Sequence, residues 1–273
     1  MRERATDLLI KEELNIIKKK LETSFQDPFP SCDLLEFVSN GSKFIRSRLC
    51  ILYLKAQGVE ITEDVYEILC AGELIHNASL LHDDVIDNAD TRRGQKTISK
   101  ELSSKVSILA GDYLLATSFD KLLLLKNFKI FDLLKETTLN MCKAELEQFF
   151  LRGKIPTVDS YIAICKGKTA GLFSALLEIS ALLSKLNSQN AKDFGEKFGI
   201  YFQIKNDLNK ESASTDLKNG IYTAIDILGI EKTGILLDNQ KKEILNLIKD
   251  FPDNIYKKEL EDLVNLLWLI KKS

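Results

Sequence analysis

The sequence predicts an all-α protein, and three observations favour this fold class. Apolar residues recur at three- and four-residue spacing over long segments, which is the period of an amphipathic helix. The alternation of apolar and polar residues that is typical of strands is nearly absent. The four prolines all lie in short polar or mixed stretches between the periodic segments: Pro28, Pro30, Pro156 and Pro252. We therefore expect a single domain over residues 1–273, a bundle of about ten helices around a central cavity.

Composition narrows the classes of function. Of the 273 residues, 45% are apolar, which is enough for one substantial core. The 38 basic and 40 acidic residues nearly balance, whereas a nucleic-acid binder usually carries a basic excess, so we expect no nucleic-acid partner. The five cysteines form no CxxC pair and are expected to be reduced, in a cytoplasmic protein. No apolar run approaches the roughly 20 residues that span a bilayer, so we expect a protein that does not cross membranes.

The longest helices can be placed from periodicity and capping. One should run between Thr62 and Asn88, because Thr62 is suited to cap it and two acidic residues follow in the first turn. The same periodicity predicts four more helices, at residues 101–126, 129–152, 157–186 and 189–210. The third of these is expected to break near Gly171, and shorter helices should lie at both ends of the chain.

The first candidate site is the acidic run LLHDDVIDNADTRRG at residues 80–94. On a helix, Asp83 and Asp87 lie one turn apart, with Asp84 beside them. Three carboxylates this close repel one another unless they share a cation, and Mg²⁺ suits them because it binds a few carboxylates together with water and phosphate oxygens. The DDxxD string alone is equally compatible with a solvated helix end.

Basic residues near the acidic run and elsewhere favour the functional interpretation. Arg92 and Arg93 follow the carboxylates, and guanidinium groups bind phosphate oxygens in bidentate fashion. NGSKFIR at residues 40–46 places Lys43 and Arg46 at a predicted helix start, where backbone amides also attract anions.

A third basic stretch has the same character. GKTAG at residues 167–171 carries Lys168 and Thr169. Taken singly, each basic stretch is more often a surface turn or a solvated face. Together with the acidic run, they predict two diphosphate pockets, one of them bridged by Mg²⁺.

These residues resemble the trans-isoprenyl diphosphate synthases, and among them the bacterial long-chain polyprenyl diphosphate synthases. The segments that carry the resemblance are GSKFIR (41–46), ELIHNASLLHDDVIDNADTRRG (73–94), AGDYLL (110–115), KTA (168–170) and FQI (202–204). The likeness runs in order over roughly residues 35–225. It implies the all-α isoprenoid synthase fold, usually as a homodimer, and a reaction that joins isopentenyl diphosphate to an allylic diphosphate.

The resemblance also implies roles for individual residues. Asp83, Asp84 and Asp87 would hold Mg²⁺ on the allylic diphosphate, and Arg92 with Lys168 would neutralise the diphosphate as it leaves. Thr169 and Gln203 match positions that face the allylic cation and the allylic diphosphate. The residues that match the family's isopentenyl diphosphate ligands are Lys43, Arg46, His76 and Arg93. A lone histidine on a helix is usually a packing residue, and His76 is assigned to the site because it matches a family position.

Product length is also reflected in the sequence. Ala78 and Ser79 lie five and four residues before Asp83, one turn below the predicted metal on the same helix. Short-chain members of the family often place an aromatic side chain there, whereas both residues here are small. The acidic motif also lacks the two-residue insertion of bacterial farnesyl diphosphate synthases. A product longer than C20 is therefore expected.

The chain departs from the family pattern at FQIKNDLNKE, residues 202–211. Members of the family normally have a second DDxxD motif here, and the corresponding residues are Asn206, Asp207 and Lys210. Asp207 is the one carboxylate that survives, and the resemblance makes it a further Mg²⁺ ligand. An asparagine carbonyl binds Mg²⁺ less well than a carboxylate. We hypothesise that Lys210 takes over part of the charge of the missing metal by contacting diphosphate or Asp207.

These departures leave two alternatives open. The chain could be a weakly active partner subunit of a heteromeric synthase, because the lysine-bearing loop after the second motif is also shortened. It could instead be a terpene cyclase-like enzyme, whose asparagine-aspartate motif begins as Asn206 and Asp207 do. Lys210 and Ser214 stand where such a cyclase has serine and glutamate, and a cyclase has no use for an isopentenyl diphosphate pocket.

Overall fold

The computed structural model describes residues 8–24, 43–92, 94–208 and 216–266. The predicted site residues Arg93 and Lys210 lie outside these ranges, as does Ser214. Within the described residues the helices are α1 (Lys11–Ser24), α2 (Ile45–Ala56), α3 (Glu63–Ile86), α4 (Ile98–Glu101), α5 (Ser104–Leu124), α6 (Phe128–Phe150), α7 (Val158–Cys165), α8 (Gly171–Leu183), α9 (Ser188–Asp207), α10 (Ala224–Leu228), α11 (Ile230–Ile248) and α12 (Ile255–Leu266). A hairpin of two-residue strands, β1 (Thr91–Arg92) and β2 (Gln95–Lys96), is the only sheet in these ranges. The all-α prediction is confirmed.

The predicted helices agree with the observed ones to within a few residues, with one informative difference. A break was expected near Gly171, but α7 and α8 are joined by a five-residue π-helical segment, Lys166–Ala170. The Gly171 N–H donates to the Lys166 carbonyl, one residue further back than in an α-helix. The chain therefore stays helical through KGKTA. Single-turn π segments are rare and occur often at functional sites.

The described residues form two compact units. Unit 1 comprises the described residues up to Ile51 and those from Ile61 to Phe131, and unit 2 comprises Leu52–Glu60 and the described residues from Asp132 onward. A single domain over the whole chain therefore stays a prediction. No helix within the described residues is long and apolar enough to cross a membrane.

Unit 1 is built around α3, which packs mainly against α5 and also against α1. The Thr62 hydroxyl accepts the Val65 N–H and caps α3 as the sequence predicts. Leucines from both helices, such as Leu69, Leu74 and Leu114, are completely buried. This burial fixes the axis of α3, and with it the position of the acidic run at its end.

Unit 2 is built around α8 and α9, which lie in close contact. Gly195 and Gly199 make this approach possible. A Cβ atom on Gly195 would lie 2.7 Å from the Ser174 Cα, and one on Gly199 would lie 2.4 Å from the Ala170 Cα. Any side chain at these positions would push α9 away from α8 and from the π segment.

Aromatic side chains fill the rest of the contact between α8 and α9. The Phe173 ring meets the Phe198 ring edge-on, with centroids 5.3 Å apart, and it also contacts Phe202. Phe194 stacks on Phe198 one turn away. Pairs of this kind add roughly 0.5–1.5 kcal/mol beyond their area of burial. The two helices are therefore held rigidly where α9 reaches Gln203 and Asp207.

Candidate active site

The acidic run forms the last turn of α3 and its C-terminal cap. Asp87 is the cap residue, and its N–H donates to the Asp83 carbonyl over 2.8 Å. Both side chains are partly exposed. The C-terminal end of a helix carries partial negative charge, and here the carboxylates add to it. This end of α3 is therefore a strongly negative, accessible position that favours a cation.

Asp84 differs from its two neighbours because its side chain is completely buried. The Nε and Nη2 atoms of Arg92 each lie 2.6 Å from its Oδ1 atom. Arg92 belongs to β1, and the segment before it is fixed by the Thr97 hydroxyl, which donates to the Ala89 carbonyl over 2.7 Å. A charge-assisted contact to a buried carboxylate is strong. The hairpin thereby holds a guanidinium beside the acidic end of α3.

The acidic end of α3 has the donor chemistry that Mg²⁺ prefers. Asp83 and Asp87 supply hard carboxylate oxygens one helical turn apart, whereas Asp84 faces inward onto Arg92. Among the described residues, no three acidic, histidine or cysteine side chains are already grouped closely enough to hold a metal ion. Mg²⁺ needs only one or two protein carboxylates when phosphate and water complete its shell. The residues therefore fit a metal that arrives with a diphosphate.

The predicted isopentenyl diphosphate residues described in unit 1 lie just before α2, on α2 and on α3. Lys43 is exposed and precedes α2, Arg46 is buried in the first turn of α2, and His76 is partly exposed on α3. A pair that sequence reasoning missed links the two helices. The Ser47 hydroxyl donates to the buried Glu73 carboxylate over 2.7 Å, with the Ser47 N–H at 3.4 Å. Glu73 therefore stabilises the helix start that carries the predicted anion site.

Lys168 in unit 2 makes two contacts with α6. Its ammonium forms an ion pair with Glu145 and donates to the Gln148 side-chain oxygen over 2.8 Å. Neither partner had a signal in the sequence, because both lie among other charged and polar residues of an amphipathic helix. The contacts fix the lysine nitrogen without removing its charge. A diphosphate that bound Lys168 would compete with Glu145.

Thr169, Gln203 and Asp207 form a continuous chain of hydrogen bonds in unit 2. The Thr169 hydroxyl lies 2.8 Å from the Gln203 Oε1, and the Gln203 Nε2 donates to the Asp207 Oδ1 over 2.9 Å. The second oxygen of Asp207 accepts the Tyr161 hydroxyl over 2.7 Å and the Ala224 N–H over 3.0 Å. The structure therefore brings together three predicted site residues from the π segment and α9.

Burial has the largest effect on the pKa values of the residues in and beside this chain of hydrogen bonds. It raises the pKa of Asp207 above its ordinary value, and the three hydrogen bonds from Tyr161, Ala224 and Gln203 only partly oppose the rise. Burial also raises the pKa of Tyr161 and raises that of the neighbouring Cys165 to about 12. Neither side chain is therefore suited to act as a base or a nucleophile at neutral pH.

The second motif is oriented differently from the first. Asn206 is exposed on the last turn of α9, whereas Asp207 is buried and both of its oxygens accept hydrogen bonds. The role of Asp207 as a metal ligand stays a prediction. It would require the carboxylate to exchange some of these bonds for the metal.

Tyr161 and Ala224 are the partners of Asp207 that sequence reasoning missed. The Asp226 carboxylate accepts the Thr223 N–H over 2.8 Å and forms a capping box at the start of α10. The first N–H of α10, on the buried Ala224, donates to Asp207. Tyr161 lies eight residues before Thr169, but its partner on α9 is 46 residues away and left no local signal.

The predicted chain-length residues lie on α3 below the acidic end. Ala78 is buried, and the Ser79 hydroxyl donates to the His76 carbonyl over 2.8 Å. Neither fills much volume. Their effect on the product stays a prediction.

Comparison with known proteins decides the family. The polyprenyl synthetase family model matches residues 33–267. The chain belongs to this family. A prenyl transferase of Porphyra purpurea is 32% identical over 85% of this chain and 73% of its own length. Heptaprenyl diphosphate synthase component 2 of Geobacillus stearothermophilus is 30% identical over 76% of this chain and 67% of its own.

A solved structure from the same family supports the fold. Heptaprenyl diphosphate synthase from Staphylococcus aureus superposes with a TM-score of 0.84 at 26% identity, covering 96% of this chain and 99% of that one. The predicted isoprenoid synthase fold is confirmed. Membership of the family identifies the chain as a prenyltransferase-family protein of prenyl diphosphate synthesis.

Proposed function

We propose that this protein condenses isopentenyl diphosphate with an allylic diphosphate, head to tail, to make a polyprenyl diphosphate. The observation that carries the proposal is the acidic end of α3, where accessible carboxylates adjoin the guanidinium of Arg92. Carboxylates for a metal and guanidinium for phosphate are the groups that a diphosphate substrate needs. Membership of the polyprenyl synthetase family supports the same reaction.

We assign the allylic diphosphate to Asp83, Asp84 and Asp87 through Mg²⁺, with Arg92 and Lys168 binding its oxygens. When bound, Mg²⁺ would act as a Lewis acid that neutralises the diphosphate charge. Asp83 and Asp87 are the accessible carboxylates, and Asp84 acts through its contact with Arg92. As the carbon–oxygen bond breaks, its electron pair leaves with the diphosphate, and the two cationic side chains stabilise that charge.

The departure leaves an allylic cation, which must be protected from water and stabilised by electron-rich groups. Thr169 and Gln203 are polar residues of unit 2 suited to this role, since both are held in one hydrogen-bonded chain. Phe202 precedes Gln203 on α9, and its ring contacts that of Phe173 on α8. Apolar rings of this kind would limit access of water to the cation.

Isopentenyl diphosphate supplies the electrons for the new bond. Lys43, Arg46 and His76 would bind its diphosphate, together with Arg93, which lies outside the described residues. Its double bond attacks the cation and forms a carbon–carbon bond, and a proton then passes to the released diphosphate. Correct orientation of the two reactants supplies a large part of the acceleration. The Ser47–Glu73 pair supports this by fixing the first turn of α2.

One reaction tests the proposal. The purified protein is incubated with Mg²⁺, farnesyl or geranylgeranyl diphosphate and radiolabelled isopentenyl diphosphate, and the products are sized. We expect a ladder of labelled polyprenyl products, because each condensation regenerates an allylic diphosphate. A hydrocarbon made from the allylic substrate alone would instead indicate a cyclase. The absence of any product would contradict the proposal for the isolated chain.

The size of the product tests the expected chain length. Ala78 and Ser79 are small side chains below the acidic end of α3, so the ladder should extend beyond C20. A product that stops at C20 or below would contradict this role for the two residues. Inserting a ring with Ala78→Phe should shorten the ladder in the same assay, without abolishing the first condensation.

A partner subunit is the second candidate, and one observation favours it. The second motif offers no accessible carboxylate among its described residues. Asn206 is exposed but carries an amide, and the carboxylate of Asp207 is buried. The relative from Geobacillus stearothermophilus is named as one component of a heptaprenyl diphosphate synthase. We prefer a homodimer, which large exposed apolar residues such as Leu109, Leu124 and Phe128 support. A cytoplasmic location stays a prediction.

A further inference from the structure

One face of α9 carries four residues at four-residue spacing: Gly195, Gly199, Gln203 and Asp207. The two glycines let α9 approach α8 and the π segment closely. The two polar residues then meet the π segment and α7, where Thr169 and Tyr161 lie at hydrogen-bond distance. The contact between the helices therefore sets the spacing of the chain that links Tyr161 to Thr169.

The hydrogen bonds that link Tyr161 to Thr169 have a fixed direction. An ionised carboxylate only accepts hydrogen bonds, and the Ala224 N–H can only donate one. The Gln203 amide must therefore turn its NH₂ group toward Asp207, which leaves its carbonyl oxygen facing Thr169. The one proton of the Thr169 hydroxyl is then committed to Gln203. The Thr169 oxygen then has only its lone pairs left for a further interaction.

Tyr161 is the side-chain donor that holds Asp207 from the opposite side to Gln203. Its hydroxyl lies 2.7 Å from the Asp207 Oδ2, while Gln203 binds the Oδ1. Without this donor the buried carboxylate is less well satisfied and can rotate away from Gln203. The Gln203 amide is then no longer held with its NH₂ group toward Asp207.

We propose that Tyr161 is a positioning residue for prenyl transfer: through Asp207 and Gln203 it keeps the Thr169 oxygen an acceptor toward the allylic cation. The inference rests on the proposed function, because it requires a cationic intermediate in the reaction. It assigns Asp207 to the orientation of Gln203 in place of metal binding. The carboxylate keeps its hydrogen bonds throughout the reaction and leaves metal binding to the acidic end of α3.

The test compares two phenylalanine variants. Tyr161→Phe removes the donor to Asp207. Tyr201→Phe is the matched control, because Tyr201 is also buried in unit 2 and its hydroxyl donates to the Val264 carbonyl over 3.3 Å, away from the chain of hydrogen bonds. Each protein is titrated calorimetrically, in Mg²⁺, with two analogues of farnesyl diphosphate. One is an aza analogue that carries a protonated amine at the cationic carbon, and the other is the neutral, unreactive thiolodiphosphate.

We expect Tyr161→Phe to weaken binding of the aza analogue about tenfold, with less than a twofold change for the neutral analogue. Tyr201→Phe should change neither affinity. In turnover, the kcat of Tyr161→Phe should fall about tenfold while the KM for isopentenyl diphosphate stays within about twofold. When Thr169→Val is already present, Tyr161→Phe should cause no further loss of aza-analogue affinity or of kcat, because both changes act on one chain of hydrogen bonds.

Equal weakening of both analogues by Tyr161→Phe, or losses that add to those of Thr169→Val, would overturn the positioning role. If Tyr161→Phe does not fold, Gln203→Met breaks the same chain elsewhere and should show the same selective loss. A wild-type protein that binds both analogues but makes no product would overturn the proposed condensation alone. The analogue comparison needs no turnover, so the two failures are distinguishable.

Discussion

At the scale of single residues, adjacent carboxylates of the first acidic run have different environments. Asp83 is partly exposed, whereas the next residue, Asp84, is buried and contacts Arg92. A helix turns about 100° per residue, so side chains next to each other in sequence point in different directions. One DDxxD string therefore supplies both accessible carboxylates and an internal anchor for a guanidinium.

Removing the guanidinium should destabilise the fold. We expect Arg92→Ala to lower the free energy of unfolding by about 3 kcal/mol, because a buried carboxylate loses its charged partner. Urea denaturation measures the effect, and Lys100→Ala is the control, since the Lys100–Asp90 pair is exposed and worth less than about 1 kcal/mol. Adding Asp84→Asn to Arg92→Ala should recover part of the loss. Equal losses of the free energy of unfolding in Arg92→Ala and Lys100→Ala would contradict this role of Arg92.

At the scale of elements, the contact of α9 with α8 and the π segment positions half of the candidate site. Gly199 lies against the backbone of Ala170, the residue after Thr169. The phenylalanine rings on both sides keep the two helices from sliding. The distance between Thr169 and Gln203 therefore depends on a glycine one turn before Gln203.

A methyl group at Gly199 should disturb this contact. Gly199→Ala places its Cβ against backbone atoms that cannot move independently, so we expect a loss of about 1–3 kcal/mol in the free energy of unfolding. Gly234→Ala on α11 is the control, because nothing lies within 4 Å of its Cβ. Alanine there should stabilise the helix by up to about 1 kcal/mol. A stabilised Gly199→Ala variant in urea denaturation would show that the contact is not tight.

At the scale of the whole molecule, unit 1 exposes large apolar side chains on α5 and at the start of α6. Leu109, Leu124 and Phe128 are each more than half exposed. Scattered apolar residues are normal on a surface, but several on consecutive helices favour an interface. A second copy of the chain is the partner we propose.

Sedimentation equilibrium tests the proposed homodimer. The wild-type chain should sediment at twice the mass of one chain, and Leu124→Glu should shift it toward the monomer because the charge would be buried without a partner. Ile235→Glu is the control on α11 in unit 2, where an exposed isoleucine is replaced outside the proposed interface. A monomeric wild type, or equal weakening by both variants, would contradict the interface.

Much of the fold was predictable because its signals are local. Helix positions follow from the period of apolar residues, and the cap at Thr62 follows from a short motif. The π segment was not predicted, because KGKTA carries no composition that separates a π turn from a helix break. Its residue Ala170 packs against Gly199 of α9, a contact between distant segments that no local motif reveals.

The sequence by itself determined the fold class, the acidic run and the residues that resemble a prenyl synthase site, since each depends on identity and spacing along one segment. The tertiary structure alone decided which of these side chains turn inward. Asn206 is exposed while Asp207 is buried, and two of the three donors to Asp207 are Tyr161 and Ala224, 46 and 17 residues away. A buried carboxylate must find donors wherever the folded chain supplies them, and that choice is made by packing.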